Sequence, residues 1–193
     1  DSQSFSFDSD LKRWTCDLHG TACTSVDRPA RLANSVLSPN GKLAAFIRDY
    51  NLWVRDVATG ADQQLTTDGV KDYGYATDNA GWIRSDSPVL VWSPDSKKIA
   101  TFQQDQRKTG EMYLVNTAAG HPTLSAWKYP LPGDESITMI ERVVIEVDGP
   151  RVIRLKMGPD QHRSSLCDDI KCGGEWVDVQ WHPDGSQVSF VST

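Results

Sequence analysis

The chain has 193 residues, 38% of them hydrophobic and 24% charged, with seven Trp spread along its length, which argues against disorder and supplies a sizeable core. Its formal net charge of −6 leaves no basic stripe to follow phosphates, so nucleic acid and anionic membrane surfaces are not expected partners. No apolar run nears the ~18 residues of a membrane span, and no basic, apolar and small-residue leader opens the sequence, so an export signal is expected upstream of Asp1.

Residues 1–9 are Ser-rich and without a repeating pattern, and read as a flexible end. Residues 10–193 then carry the globular signal. Arg13, Trp14 and Thr15 lead into Cys16, and a short polar loop runs to Cys23, a spacing that lets a disulfide clip the two strands of one hairpin. Cys167 and Cys172 form a second local pair across a loop rich in Asp and Gly. Two disulfides place the chain in an oxidising compartment, periplasmic or secreted. The alternatives are a zinc site built from Cys16, His19, Cys23 and a distant His, for which neither pair has finger or ribbon spacing, and four reduced thiols in a cytosolic protein.

A turn motif recurs three times: Ser38-Pro39-Asn40-Gly41, Ser93-Pro94-Asp95-Ser96 and His182-Pro183-Asp184-Gly185, each following an apolar residue and preceding an apolar run. Pro presets φ, Asn or Asp bonds back to the backbone, and Gly or Ser tolerates the bend, so each copy reads as a hairpin turn. After the first turn residues 43–48 are almost wholly apolar, which suits a strand covered on both faces. The second interval between turns is over half as long again as the first, which reads as one long blade followed by roughly two, the middle one lacking its turn. A second element recurs as residues 51–60 and 111–120, each an aromatic-bearing strand ending in a Gly turn. Residues 137–140 and 143–147 keep strand character around Asp148-Gly149-Pro150. No stretch shows sustained helical periodicity. Repeats of this length indicate a propeller: the expected fold is all-β, a partial β-propeller of about four blades, each a four-stranded antiparallel sheet.

The segments between the turns narrow the family. Residues 47–54 (IRDYNLWV), 65–69 (LTTDG) and Tyr73-Gly74-Tyr75, followed by Trp92-Ser93-Pro94-Asp95-Ser96 and then Trp127-Lys128-Tyr129-Pro130, resemble in content and order the N-terminal propeller of the dipeptidyl peptidase IV family in the prolyl oligopeptidase clan, in its bacterial branch. The resemblance covers roughly residues 30–193. It implies a serine-type hydrolase that releases dipeptides from peptide N-termini, with the Ser, Asp and His triad on an α/β-hydrolase domain beyond this chain; no Gly-x-Ser-x-Gly nucleophile elbow occurs here. The chain itself is then expected to hold no catalytic residue, to need no cofactor or metal, and to select the peptide substrate and gate its access. A homodimer is expected, because an open arc of blades leaves sheet edges and faces to cover.

Family members hold the substrate amine with acidic residues carried on an insertion in the propeller, a chemistry suited to an ammonium in a partly desolvated site. The corresponding stretch here is residues 76–88, and it departs from the family pattern of a Trp followed closely by a Glu pair: it reads Trp82-Ile83-Arg84-Ser85-Asp86-Ser87-Pro88. The resemblance therefore implies either Asp86 or Asp78 as the amine acceptor or a parent enzyme that is not a strict dipeptidase, with Arg84 as a partner for a peptide carbonyl or carboxylate and Trp82 as a further substrate-binding residue, against the plainer reading of surface residues in a variable loop. His19, His121, His162 and His182 all lie in polar, turn-like stretches and read as loop residues. Asp168 and Asp169 are too few for a calcium loop, and Glu135 and Glu141 have no partner at a diagnostic spacing. The competing function is a non-enzymatic periplasmic propeller scaffold that binds protein partners.

Overall fold

A computed structural model describes residues 4–9, 12–27, 32–77, 86–117, 119–161 and 179–190. Every helix-or-strand element among them is a strand: β1 (Ser4–Ser9), β2 (Lys12–Asp17), β3 (Cys23–Asp27), β4 (Ser35–Leu37), β5 (Leu43–Arg48), β6 (Asn51–Asp56), β7 (Asp62–Gln64), β8 (Tyr73–Tyr75), β9 (Val91–Trp92), β10 (Lys98–Asp105), β11 (Glu111–Asn116), β12 (Thr123–Lys128), β13 (Met139–Glu146), β14 (Arg151–Arg154), β15 (Asp160–Gln161), β16 (Val179–Trp181) and β17 (Val188–Phe190). The chain divides into two compact units, residues 1–33 and 34–193.

The first unit is a three-stranded antiparallel sheet in the order β1-β2-β3. Residues 4–9 are thus a paired strand, where the sequence reads as a patternless end. Alternation explains it: Phe5 and Phe7 share one face, and Phe7 lies opposite Trp14, so the three rings stack in a row. Two aromatics separated by one Ser are a short period-2 signal that the Ser-rich composition hides. Cys16 and Cys23 face each other in register and are joined by a disulfide, as the hairpin reading requires. Asp17 closes the turn by accepting the Thr21 and Ala22 amides and the Thr21 hydroxyl. Those hydrogen bonds, led by that from the Thr21 hydroxyl, hold its carboxyl below the usual aspartate range.

The second unit opens with the four-stranded meander β4-β5-β6-β7. Its first turn is built as the sequence motif dictates. The Leu43 amide donates to Ser38 Oγ at 3.0 Å, Asn40 Oδ1 accepts the Lys42 amide, and Gly41 takes a φ of 71°. Ser93 and Asp95 repeat the arrangement between β9 and β10, and Asp184 accepts the Ser186 amide between β16 and β17. The left-handed position of the loop is filled by Gly41, Ser96 and Gly185 in the three copies.

The next sheet has six strands but only four ranks. β10 pairs on one edge with β13 and on the other with both β8 and β9; β13 in turn pairs on its far edge with both β14 and β15. β8 and β9 are therefore two halves of one first-rank strand, interrupted by residues 76–90. The long interval between the second and third turns is accounted for the same way. β10 pairs with β13 over all eight of its residues, and residues 106–138, which hold the separate hairpin β11–β12, are an excursion from a single blade. The counterpart of β6 is thus β13, and residues 111–120, similar to 51–60 in local sequence, lie outside the blade. β16 and β17 begin a further sheet. This antiparallel all-β architecture is that of a partial propeller.

The sheets of this unit stack face to face. One face of β10 and β13 contributes Ile99, Val143 and Ile145 to a core with Ala45, Leu52, Val54 and Tyr75, packed against the β4–β7 sheet. The other contributes Ala100, Phe102 and Ile140 to a second core against Val179, with Trp181, Val188 and Phe190 at its margin. That is why residues 43–48 and 98–104 lack alternation, since both faces of each strand are covered.

Candidate functional site

The β5–β6 turn, the segment between β7 and β8, the interrupted first-rank strand and the start of β13 meet at one end of the two full sheets. Asp49 and Tyr50 form the turn with φ values of 49° and 64°, and Asp72 and Ala76 add two more left-handed residues close by. Strained non-glycine backbone collected at one end of a sheet marks a place where surrounding contacts fix the chain. Those contacts are visible. Tyr50 O accepts the Tyr75 amide at 2.9 Å, and Asn51 Oδ1 accepts the Gly69 amide while Asn51 Nδ2 donates to the Gly69 carbonyl. A Cβ on Gly69 would collide with Tyr50 O and Asn51 Oδ1. Gly69→Ala is therefore expected to lower unfolding free energy by about 1–3 kcal/mol, measured by urea denaturation; a loss under ~0.3 kcal/mol would show that this backbone yields freely.

Arg154, from β14, is the hub of this end. The two hydrogens of its Nη2 are shared among Asp68 Oδ2 at 3.0 Å, the Tyr75 hydroxyl oxygen at 3.1 Å and Gln103 Oε1 at 2.5 Å, and its Nη1 donates to Glu141 at 2.7 Å. The Tyr75 hydroxyl donates in turn to Asp68 at 2.7 Å. Glu141 thus has a partner after all, reached diagonally across the β13–β14 ladder, a pairing that sequence spacing does not display. Two carboxylates, one guanidinium and one phenol leave the cluster short of one positive charge. Alongside it, Arg107 lies 4.1 Å above the Tyr73 ring and is fixed by Asp105.

Burial first, then the hydrogen bond to Asp68, pushes the Tyr75 phenol well above the ordinary tyrosine value. The stabilisation from a raised folded value is complete below the unfolded pKa of ~10 and is lost as pH climbs through the higher folded value. Absorbance titration near 295 nm should therefore show fewer phenols ionising by pH 11 in the native chain than the five of the unfolded one, and Tyr75→Phe should remove the latest-titrating group. A native profile matching the unfolded one would contradict this.

Of the four residues proposed from the sequence, Asp86 is described and exposed, just ahead of buried Pro88, Val89 and Leu90. Asp78, Trp82 and Arg84 lie outside the described residues, as do Cys167 and Cys172. The described roots of the insertion are well fixed: the Ala76 amide donates to Phe102 O, the Val89 amide to Ala76 O, and the Thr77 hydroxyl to Gln104 Oε1. The insertion thus leaves the blade at mid-height from its first-rank strand, between Tyr75, a member of the Arg154 cluster, and β9. The sequence does not announce Asp68, Arg154, Gln103 and Tyr75 as a cluster; the Tyr-Gly-Tyr motif and Asp68 within residues 65–69 are its visible traces. Among the described residues no group of three or more His, Cys, Asp or Glu side chains is placed to hold a metal ion.

Comparison with known proteins agrees with this architecture. The chain is 24% identical over 194 aligned positions to dipeptidyl-aminopeptidase B of Neosartorya fischeri and 26% identical to that of Aspergillus fumigatus, in both cases over 90% of this chain and 20% of the relative. It superposes on dipeptidyl peptidase 4 of Porphyromonas gingivalis with a TM-score of 0.55 at 17% identity, over 83% of this chain and 23% of that one. A structure described as dipeptidyl aminopeptidase IV from Bacteroides ovatus gives 0.56 at 15% identity, over 97% and 24%. The chain therefore spans about a fifth of the length of these curated relatives. The family model for the dipeptidyl peptidase IV N-terminal region matches residues 2–193, and the chain belongs to that family.

Proposed function

We propose that this chain is the substrate-selecting and access-gating propeller of a serine-type exopeptidase that removes dipeptides from peptide N-termini, its triad supplied by an α/β-hydrolase domain elsewhere in the protein. The observation that carries the reading is the interruption of the first-rank strand by residues 76–90, an insertion at the position where the family resemblance locates amine recognition, in a chain matched by the family model from end to end. Asp86 and Asp78 accept the substrate ammonium in this reading, Arg84 holds a carbonyl or carboxylate, and Trp82 forms a wall. The negative balance of the neighbouring Arg154 cluster favours an ammonium there as well.

Two further elements belong to the proposal. The hairpin β11–β12 exposes Tyr113, Leu114, Val115 and Leu124, each more than half exposed, and we assign it to the interface of a homodimer. The Cys16–Cys23 disulfide supports a periplasmic or secreted location. The test is hydrolysis of Ala-Pro and Gly-Pro chromogenic amides by the full-length protein, with and without a serine-directed phosphonate; blocked N-termini should abolish turnover.

A further inference from the structure

The strand that follows the insertion is held from both sides by indole hydrogen bonds. Trp92 and Trp181 occupy the same place in two copies of the turn motif, directly ahead of Ser93 and His182. Trp181 Nε1 donates to the carbonyl of Val91, one residue before Trp92, at 3.1 Å, and Trp92 Nε1 donates to the carbonyl of Val36, one residue before Leu37, at 3.2 Å. Leu37, the counterpart in the first copy, carries no such donor. Among the described strands β9 is thus the one that both gives and receives this bond, to β4 on one side and from β16 on the other. Its own ladder is short: two residues, paired with Ile99 and Ala100 of β10, supply few hydrogen bonds against the entropy of ordering the segment. Leu90 and Trp92 pack into the core shared with the β4–β7 sheet, and Val89 into the core shared with Val179. The Val89 carbonyl accepts the Thr101 hydroxyl at 2.7 Å, and the Val89 amide donates to Ala76 O.

We propose that Trp181 and Trp92 are positioning residues for Asp86, and through it for the amine of the peptide substrate. Asp86 is exposed and stands just ahead of the buried run that begins at Pro88. Pro88 presets its own φ and confines Ser87 to extended backbone, so a displacement of residues 89–91 is passed on to Asp86 rather than absorbed. A charge-assisted bond to an ammonium is short-ranged, and a carboxylate moved by ~1 Å loses much of it. An indole that only filled space would need no carbonyl in line with its N–H. The same donor and acceptor meet at two successive joints, and both bonds fall on the strand that carries Asp86 outward. Trp181 lies 90 residues from Val91 in sequence, so the stem of the insertion is tied to the following sheet and not only to its own. The role of Asp86 rests on the proposed function; the anchoring of β9 does not.

The test combines Trp181→Phe, which keeps a ring and deletes the N–H, with Asp86→Ala in the full-length protein. Trp181→Phe should raise KM for a free-amine alanyl-prolyl chromogenic amide by about three- to tenfold, with kcat changed by less than about twofold. Once Asp86 is replaced by Ala, the same change should leave KM where it is. Hydrogen exchange in Trp181→Phe should be at least about fivefold faster in peptides spanning residues 86–91 and unchanged in those spanning residues 43–56. Trp92→Phe should act alike, and decides the matter if Trp181→Phe does not fold. Faster exchange with an unchanged KM, or an equal rise in KM in the Asp86→Ala background, would confine the indole bonds to fold stability and overturn the positioning role. Unchanged exchange would overturn the anchoring itself. A wild-type protein that cleaves no such amide would count against the peptidase reading and the role of Asp86 with it, while exchange would still decide the anchoring.

Discussion

Asp160→Ala is expected to lower the unfolding free energy of the chain by about 3–5 kcal/mol. Asp160 Oδ2 accepts a hydrogen bond from Arg142 Nε at 2.9 Å, and the two side chains are only 6% and 2% exposed. The pair ties β13 to β15, and the guanidinium carbon lies 5.7 Å from the centre of the Phe190 ring on β17, so three strands of two sheets converge on it. Removing the carboxylate takes one charged hydrogen-bond partner away from a buried guanidinium, a cost larger than losing a surface pair. Against a typical total stability of ~5–15 kcal/mol, such a loss would show as a clear drop in melting temperature and urea midpoint. An apolar pair, Arg142→Met with Asp160→Leu, should recover most of it. A single-variant loss below ~1 kcal/mol would mean that water or another group takes over the carboxylate's part.

The second large effect concerns recognition. On the proposed peptidase function, Asp78→Ala combined with Asp86→Ala in the full-length protein should reduce kcat/KM for a free-amine dipeptide amide by about 10–100-fold, the equivalent of the ~1.5–3 kcal/mol that a hydrogen bond to a charged group contributes. The loss should appear chiefly in KM, because an ammonium that is not part of the reacting bond is held alike in ground and transition states. Wild-type kcat/KM should also decline above pH ~8, as the substrate amine loses its proton. Unchanged kinetics in the double variant would transfer the amine contact to another group, with Glu141 and Asp68 the next to replace.

The parts of this fold legible in the sequence are those fixed by local chemistry. Each Pro-Asn or Pro-Asp turn is closed by its own side chains, so the three turns and the strands after them could be read directly. The Cys16–Cys23 clip is similarly local. Rank within a blade is not local. β11 looks like β6, yet β6 is half-buried within its sheet while β11 is mostly exposed, because β10 pairs with β13 some forty residues away and leaves β11 outside. Nothing within β11 announces that choice. The Arg154 cluster was hidden for the same reason. Asp68, Tyr75, Gln103, Glu141 and Arg154 come from five separate segments, and no spacing rule joins them. Ser4–Ser9 was missed on different grounds, since its two-ring alternation is shorter than the composition bias surrounding it.

The most direct test of the peptidase account is the activity of the full-length protein against alanyl-prolyl chromogenic amide, compared with its N-acetylated form and with a serine-directed phosphonate. The account predicts rapid release of the chromophore from the free-amine substrate, none from the acetylated one, and complete inactivation by the phosphonate. Equal turnover of the two substrates, or no turnover by a well-folded protein, would contradict it.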